Sequence, residues 1–316
     1  MISRRDYLKY SALAGAAGLL PAGLLHAAHH NELITRSIPK SGEELPIVGL
    51  GSSASFRELA ESDDTSPIRD VISALLDNGG TVFDTAPSYG ASEEVAGRIV
   101  QQLGATEKIF WATKLNVVPR GGSTADSDAA RAQVEHSFDY IGKDPIDLIQ
   151  VHNLRDVATQ LPILEEYKQE GRLRYIGVTY TGESQFPQLA KVMRDEAIDF
   201  IGVNYAIDDR DAAEEIFPVA RDRGIAVLVY LPFGRTRLWQ RVAGHDLPDF
   251  AAEIGAKTWA QFFIKYAAAH PAVTAVTPAT SKAQHMLDNL GAAVGELPDA
   301  AMQKRMADYV DALPNA

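Results

Sequence analysis

The stretch Thr81-Val-Phe-Asp84-Thr-Ala-Pro-Ser-Tyr89-Gly90 is a short apolar run that ends in an aspartate, with a tyrosine five residues later. Two later runs, Ile109–Lys114 and Ile146–His152, also end in a titratable side chain. In a parallel α/β barrel the carboxyl ends of the strands form the face that carries the active site. An aspartate, a tyrosine, a lysine and a histidine on that face can protonate a carbonyl while a hydride arrives, so we predict an oxidoreductase. The predicted catalytic residues are Asp84, Tyr89, Lys114 and His152.

Strand and helix signals alternate from about residue 45 to the end of the chain. Strands that alternate with helices indicate right-handed βαβ units and a parallel sheet. Eight such units predict a closed (β/α)8 barrel of the TIM type, which usually takes about 250 residues. The predicted strands are Ile47–Gly51, Thr81–Asp84, Ile109–Lys114, Ile146–His152, Leu173–Thr179, Phe200–Asn204, Ile225–Leu231 and Val273–Thr277.

Helix start and stop signals lie between these strands. Proline or acidic residues mark several starts, and glycine or a following proline marks the ends. The predicted helices begin at Ser66 and end by Asn78, begin at Ser92 and end by Gly104, and cover Val157–Gly171, Asp211–Arg223 and Lys257–His270.

Two further pieces lie outside the eightfold pattern. Leu33–Ile38 and Leu45–Val48 flank a turn and predict an N-terminal hairpin that plugs the amino end of the barrel. Residues 298–312 predict an added C-terminal helix. The segment Pro232–Gly255 has no firm assignment, and long loops of this kind are often functional. A doubly wound dinucleotide fold is the rival, but Gly49-Leu-Gly51 has two of the three glycines that it needs.

Composition narrows the classes of partner. The net charge of −12, with no patch of Lys and Arg, argues against a nucleic-acid partner. The chain has no cysteine, which excludes disulfides and iron–sulfur clusters and suits an oxidising compartment. A small molecule is the expected partner, and a monomer is the default assembly.

The N-terminal sequence predicts where the protein is located in the cell. Ser3-Arg-Arg-Asp-Tyr-Leu-Lys9 resembles a twin-arginine export signal, and an apolar run follows from Ser11 to Ala28. We predict a signal peptide over residues 1–28, a transient contact with the twin-arginine translocase, and a periplasmic or exported barrel over residues 33–312. The cleavage site is poorly defined, so membrane tethering through an uncleaved signal stays open, as does an amphipathic anchoring helix.

The motifs together resemble the aldo-keto reductases, a family of (β/α)8 enzymes that use NADP(H) without a Rossmann domain. The resemblance covers about residues 33–312. The matching segments are Gly49-Leu-Gly51, Asp84–Gly90, Lys114, His152, Tyr230-Leu-Pro-Phe233 and Pro278–Asn289.

The chemistry of the four residues can be argued independently of the family. A free tyrosine has a pKa near 10 and is a poor proton donor at neutral pH, but a nearby ammonium lowers that pKa. Lys114 would supply the ammonium and Asp84 would keep it charged and aimed. His152 would orient the substrate oxygen, and Tyr89 would donate the proton. Each residue alone has a structural alternative, such as a cap, a packing residue or a solvated strand end.

The resemblance also implies a cofactor site. Thr179 and Asn204 match the positions that bind the nicotinamide carboxamide, and Tyr230 matches the aromatic that stacks on its ring. NADP(H) is favoured over NAD(H), although Ala279 and His285 stand where many relatives carry lysine and arginine. Arg235, Arg237 and Arg241 add positive charge where the phosphates are expected, and the alternative is that the three form a solvated face of a short helix. The remaining cofactor-binding candidates are Phe233, Gly234, Arg235, Thr280, Ser281, Lys282, His285, Asp288 and Asn289.

These motifs do not identify the substrate. Phe56, Trp111, Trp239 and Trp259 are candidates for the substrate wall, and each can equally belong to the core. Two other functions remain open: a cofactor-loaded sensing module that docks on a membrane partner, and a cytoplasmic reductase with a fortuitous leader.

Overall fold

The structure is a computed structural model, and it describes residues 32–314. The predicted export signal over residues 1–28 lies outside the described residues. Eight parallel strands form one sheet in chain order, and an antiparallel pair precedes them. The strands are β1 (Thr35–Ser37), β2 (Glu44–Pro46), β3 (Leu50–Gly51), β4 (Val82–Asp84), β5 (Phe110–Leu115), β6 (Ile146–Val151), β7 (Leu173–Tyr180), β8 (Phe200–Asn204), β9 (Ala226–Tyr230) and β10 (Ala275–Val276).

The first and last strands of the sheet meet, so the sheet closes. The Gly49 amide donates to the carbonyl of Val276 at 2.9 Å, and the Val276 amide donates to the carbonyl of Ile47 at 2.8 Å. A parallel bridge joins Gly51 to Ala279. The predicted (β/α)8 barrel is confirmed.

Side chains at alternate strand positions fill the barrel interior. Phe110, Tyr175 and Phe200 pack together there, with ring centroids 5.4–6.0 Å apart. Ile38 and Leu45, on either side of the hairpin turn, are buried in the same cluster. The hairpin therefore covers the amino end of the barrel, as predicted, and leaves the carboxyl end for polar groups.

Helices surround the strands. They are α1 (Ser53–Ala60), α2 (Ser66–Asp77), α3 (Ser92–Gln102), α4 (Ser127–Ile141), α5 (Val157–Gln169), α6 (Phe186–Asp195), α7 (Asp211–Glu215), α8 (Phe217–Arg223), α9 (Arg237–Arg241), α10 (Trp259–Ala269), α11 (Ala283–Gly291) and α12 (Ala300–Ala312). The predicted starts at Ser66 and Ser92 are correct.

Two helix predictions need correction, and one unassigned segment contains helical structure. The continuous helix expected over Asp211–Arg223 is two helices, because Pro218 lacks an amide hydrogen and fits only a first helical turn. The helix expected from Lys257 begins two residues later, since the Thr258 side chain accepts a hydrogen bond from the Gln261 amide and caps it. Pro232–Gly255, unassigned from the sequence, contains α9 and a 3-10 turn over Asp249–Ile254.

The C-terminal helix is present as expected. Asp299 caps α12, and Met306 and Val310 bury their side chains against the barrel helices. Within residues 32–314, none of the helices combines the length and apolar composition needed to cross a bilayer.

Candidate active site

A buried ion pair lies at the carboxyl ends of β4 and β5. Asp84 and Lys114 both point into the barrel, and the Lys114 ammonium lies 2.7 Å from Oδ1 of Asp84. The ammonium also donates to the carbonyl of Thr85 at 2.8 Å. The side chains of Lys114 and Asp84 are 2% and 5% exposed, so solvent has little access to either partner. This arrangement holds the lysine charged and in one place.

Tyr89 lies above this pair on the loop after β4. The Tyr89 amide donates to the carbonyl of Ala86 at 3.0 Å, and the Ser92 hydroxyl donates to the Tyr89 carbonyl at 2.6 Å. Gly90 follows with φ of 62°, a left-handed value that suits glycine. The loop is thus a fixed turn that leads directly into α3.

The four predicted catalytic residues come together. The Lys114 ammonium lies 5.2 Å from the centre of the Tyr89 ring. The rings of Tyr89 and His152 meet edge to face, with centroids 6.1 Å apart. The structure therefore brings all four side chains to the carboxyl end of the barrel, where the chain order placed them.

Burial and the buried pair set the protonation of these groups. Burial raises the pKa of Asp84, while the charge of Lys114 acts in the opposite direction. Burial lowers the pKa of Lys114, but Asp84 and Tyr89 outweigh it, and the net pKa is raised. Burial raises the pKa of Tyr89, and the ammonium of Lys114 opposes that rise. Burial and the charge of Lys114 lower the pKa of His152 to about 3, so its imidazole is neutral.

Tyr230 lies at the end of β9 with its hydroxyl inside the barrel. The hydroxyl donates to Oδ2 of Asp84 at 2.9 Å and accepts from Nε2 of Gln150 at 3.1 Å. The ring covers Gly202, where a Cβ would overlap it. Tyr230 therefore joins the predicted site through its hydroxyl as well as its ring.

Thr179 and Asn204 lie at the same end of the barrel with polar atoms already bonded within the chain. The Thr179 hydroxyl accepts from the Asn153 amide at 3.0 Å. The Asn204 carboxamide accepts from the Gly182 amide at 2.9 Å and donates to Asp209 at 2.8 Å. Asn204 thus holds two loops together, and Thr179 keeps its own proton to donate.

The turn after β9 has an unusual backbone. Leu231 and Arg235 have φ of 56° and 61°, which is sparsely populated for residues with a side chain. Gly234 lies between them at 55°, and the Phe233 ring packs 4.9 Å from that of Trp239. Strained backbone of this kind is concentrated at functional sites, which agrees with the position predicted for phosphate contacts.

The expected group of three arginines in this segment is not a single positive patch. Arg237 forms two hydrogen bonds with Asp208, at 2.6 and 2.9 Å. Arg241 donates to the carbonyls of Asp311 and Leu313 at the end of α12. Both guanidinium groups are therefore bonded away from the predicted phosphate position. The sequence could not show this, because it does not reveal which acidic or carbonyl groups fold against them. Arg235 is exposed, and no hydrogen bond or ion pair within residues 32–314 involves its guanidinium.

The segment after β10 leads into α11 as predicted. Thr280 is buried, Ser281 is half-buried, and Lys282 and His285 are exposed. Asn289 is buried beside them.

Asp288 is in a different situation. Its carboxylate accepts hydrogen bonds from Thr258 at 3.0 Å and from Gln261 at 2.8 Å. It therefore ties α11 to the start of α10 in this structure.

Comparison with known proteins places this chain in a family. The profile of the family described as "Aldo/keto reductase family" matches residues 47–307. The chain belongs to the aldo-keto reductase family. It is 28% identical over 292 residues to the aldo-keto reductase str7 of Strobilurus tenacellus, covering 82% of this chain and 85% of that one. It is 30% identical over 202 residues to the aldo-keto reductase YhdN of Bacillus subtilis, covering 61% and 60%.

Solved aldo-keto reductases share the fold. The holo form of AKR11C1 from Bacillus halodurans superposes with a TM-score of 0.71 at 23% identity, covering 90% of this chain and 98% of that one. The enzyme from Klebsiella pneumoniae in complex with NADPH gives 0.71 at 20% identity, covering 88% and 95%. At such identities the likeness concerns the fold.

Two buried polar residues near the site of this aldo-keto reductase were not predicted from the sequence. Glu93, in the first turn of α3, accepts from the Thr113 hydroxyl at 2.9 Å, and burial raises its pKa to about 7. Gln150 lies two residues before His152 and so faces the barrel interior with it. The strand period was a usable signal for Gln150. Glu93 had no signal, since a Ser-Glu-Glu helix start is ordinarily solvated.

The candidate substrate wall is also corrected. Phe56 and Trp111 are fully buried, and both rings pack against Phe83 in the layer between strands and helices. Trp259 packs against Phe262 and Tyr309. Of the four candidates only Trp239, which is 39% exposed, has an open face; it lies in α9 and packs against Phe233 of the turn after β9.

Proposed function

We propose that this aldo-keto reductase interconverts a carbonyl and an alcohol, with Tyr89 as the general acid and base. The observation that carries the proposal is the buried Lys114 ammonium, which lies 2.7 Å from Asp84 and 5.2 Å from the Tyr89 ring. A bound nicotinamide dinucleotide would supply the hydride for reduction and accept it in the reverse direction.

The charge of Lys114 lowers the free-energy cost of proton transfer from Tyr89. A positive charge at this distance favours tyrosinate, which opposes the effect of burial on the tyrosine pKa. The Tyr89 hydroxyl can then give its proton to a carbonyl oxygen in reduction and take it back from an alcohol in oxidation. Asp84 prevents the buried ammonium from losing its proton instead.

His152 acts in this proposal as a neutral hydrogen-bond donor. Its pKa of about 3 means that the imidazole carries one N–H and no charge at neutral pH. A neutral donor orients the substrate oxygen beside Tyr89 without competing to protonate it.

The residues around the carboxyl end of the barrel are suited to bind a dinucleotide. Arg235, Lys282 and His285 are exposed nitrogen donors on two segments that follow β9 and β10. The first turn of α11 has no side-chain cap, so its amide groups can bind an anion. We favour NADP(H), because the side chains of Lys282 and His285 can hold a phosphate on the ribose. Comparing the dissociation constants of NADPH and NADH for the wild type and Lys282→Ala tests this preference, and equal loss for both dinucleotides contradicts it.

A panel of aldehydes, ketones and sugars tests the activity. Purified wild type is expected to oxidise NADPH with at least one class of carbonyl, and Tyr89→Phe is expected to lose that turnover. Tyr140→Phe, which changes an exposed tyrosine on α4, is the matched control. A wild type that binds the dinucleotide and turns over nothing on the panel contradicts the proposal and favours the sensing module.

We also propose that the protein is exported folded by the twin-arginine route, with the dinucleotide bound. The support is Arg4-Arg5 ahead of an apolar run, together with the absence of cysteine. Fractionation of cells that carry the wild type or the Arg4→Lys, Arg5→Lys variant tests the route, and an unchanged location contradicts it. Periplasmic protein is expected to contain nearly stoichiometric nucleotide, whereas protein that is empty and exchanges cofactor rapidly contradicts export with bound cofactor.

A further inference from the structure

The Tyr230 hydroxyl occupies a position that ring stacking does not require. It lies in the barrel interior, where it donates to Oδ2 of Asp84 at 2.9 Å and accepts from Gln150 at 3.1 Å. A residue whose only task is to present an aromatic face to a ligand can be phenylalanine. Here the hydroxyl completes a buried chain that links β6, β9 and β4 beneath Tyr89.

We propose that Tyr230 is a positioning residue, whose hydroxyl fixes the Asp84 carboxylate so that its other oxygen holds Lys114 beside Tyr89. This inference rests on the proposed function of Tyr89. It concerns the hydroxyl alone and is independent of whether the ring contacts the dinucleotide.

The hydrogen bonds divide the carboxylate between two partners. Oδ1 of Asp84 accepts from Lys114 and Oδ2 accepts from Tyr230. Asp84 is buried, so no solvent is at hand to replace a lost donor. Without the hydroxyl, Oδ2 is left unpaired, and an unpaired carboxylate oxygen in a buried site is costly. The carboxylate then gains by turning both oxygens toward the ammonium.

Such a turn changes where the charge of Lys114 acts. The ammonium lies 5.2 Å from the ring centres of both Tyr89 and Tyr230, between the two tyrosines. A tighter pair with Asp84 draws the ammonium toward the strands and weakens its effect on Tyr89. The charged and titratable groups around Asp84 are Lys114, Tyr89 and Tyr230, and each lies within the same chain of contacts.

Gln150 gives the hydroxyl its direction. The Nε2 group donates to the tyrosine oxygen, so the single proton of that hydroxyl remains for Asp84. Oε1 of Gln150 is buried without a hydrogen-bond partner within residues 32–314. An unsatisfied buried amide costs stability, and its retention here agrees with a positioning task for the other end of the side chain.

Tyr230→Phe separates the hydroxyl from the ring. We expect kcat/KM to fall about tenfold, as for the loss of a hydrogen bond to a charged group, while the dissociation constant of NADPH stays within about twofold of wild type. Gln150→Leu, which leaves the hydroxyl free to point elsewhere, is expected to lose less activity with the same unchanged affinity. Unchanged kcat/KM in Tyr230→Phe overturns the inference, and so does a loss that appears entirely in dinucleotide affinity.

A second readout does not depend on turnover. Carbon NMR of protein labelled at the aspartate carboxyls follows the titration of Asp84, with Asp84→Asn to assign its signal. Loss of the Tyr230 donor is expected to shift the pH at which Asp84 titrates, because it removes a hydrogen bond that favours the carboxylate and changes the pairing of that carboxylate with Lys114. An identical titration in wild type and Tyr230→Phe overturns the inference. A wild type that reduces no carbonyl overturns the proposed function instead, and the two failures are distinct.

Discussion

Removal of the Lys114 charge tests whether solvent is excluded from the Asp84–Lys114 pair. In Lys114→Met the aspartate keeps its hydrogen bond from Tyr230 but loses its counter-charge at 2.7 Å. With side chains only 2% and 5% exposed, solvent screening is slight. Breaking such a pair by removing one partner costs about 3–5 kcal/mol, because the remaining charge stays buried.

The double variant Asp84→Asn, Lys114→Met gives the matched control. It contains neither charge, and neutral replacements of a buried pair with similar volume are often neutral in stability. We therefore expect most of the lost free energy of unfolding to return, while activity stays absent in both variants. Stability and turnover would then separate, which a general loss of folding cannot produce.

The pH dependence of Lys114→Met follows from the same reasoning. Without the lysine, burial leaves the folded-state pKa of Asp84 above its unfolded value near 3.9. The folded protein then binds more protons than the unfolded chain between those two pKa values. Stability is therefore highest below the unfolded pKa and falls as the pH rises through this window.

Urea unfolding at several pH values, followed by circular dichroism, measures these differences. A loss of less than about 1 kcal/mol in Lys114→Met, the value of an exposed pair, would show that the pair is not shielded from solvent. A double variant no more stable than Lys114→Met would show that the buried Asp84 charge is not the source of the loss.

Three further predictions concern neighbouring groups. Because burial raises the folded-state pKa of Glu93 to about 7, the free energy of unfolding should fall as the pH rises from about 4.3 to 7. In urea unfolding, Glu93→Gln should abolish this pH dependence, whereas the exposed control Glu94→Gln should keep it. The pH profile of kcat/KM should show no acid limb near 6.5 from His152, whose pKa is about 3, and such a limb that disappears in His152→Gln contradicts a neutral imidazole. Arg235→Gln should weaken NADPH binding about tenfold by calorimetry, as loss of a charge-assisted hydrogen bond does, whereas the distant Arg131→Gln should not, and equal affinity in all three proteins removes Arg235 from the phosphate site.

The barrel and the meeting of the four side chains could be predicted because both depend on regular repeats. Strand ends in a parallel barrel share one face, so chain order alone brings Asp84, Lys114 and His152 together. The strand period also contains information that was not used. Trp111 lies an odd number of residues before Lys114 and must face the helices when the lysine faces the barrel.

Other features depend on contacts that have no local pattern. The bonds of Arg237 to Asp208, and of Asp288 to Thr258, join segments that only the fold brings together. The position of the Tyr230 ring depends on the absence of a side chain at Gly202, on a different strand. Such pairings come from side-chain packing across the barrel, which hydrophobic periodicity does not describe.

In the proposed reaction Tyr89 transfers the proton at a site positioned by Lys114. A single-turnover experiment with the dinucleotide saturating isolates the chemical step from cofactor release. For a carbonyl that the wild type reduces, we predict that Tyr89→Phe binds NADPH with wild-type affinity and reacts at least about a hundredfold more slowly, the usual contribution of general acid catalysis. A Tyr89→Phe rate within a few-fold of wild type would contradict proton transfer by Tyr89.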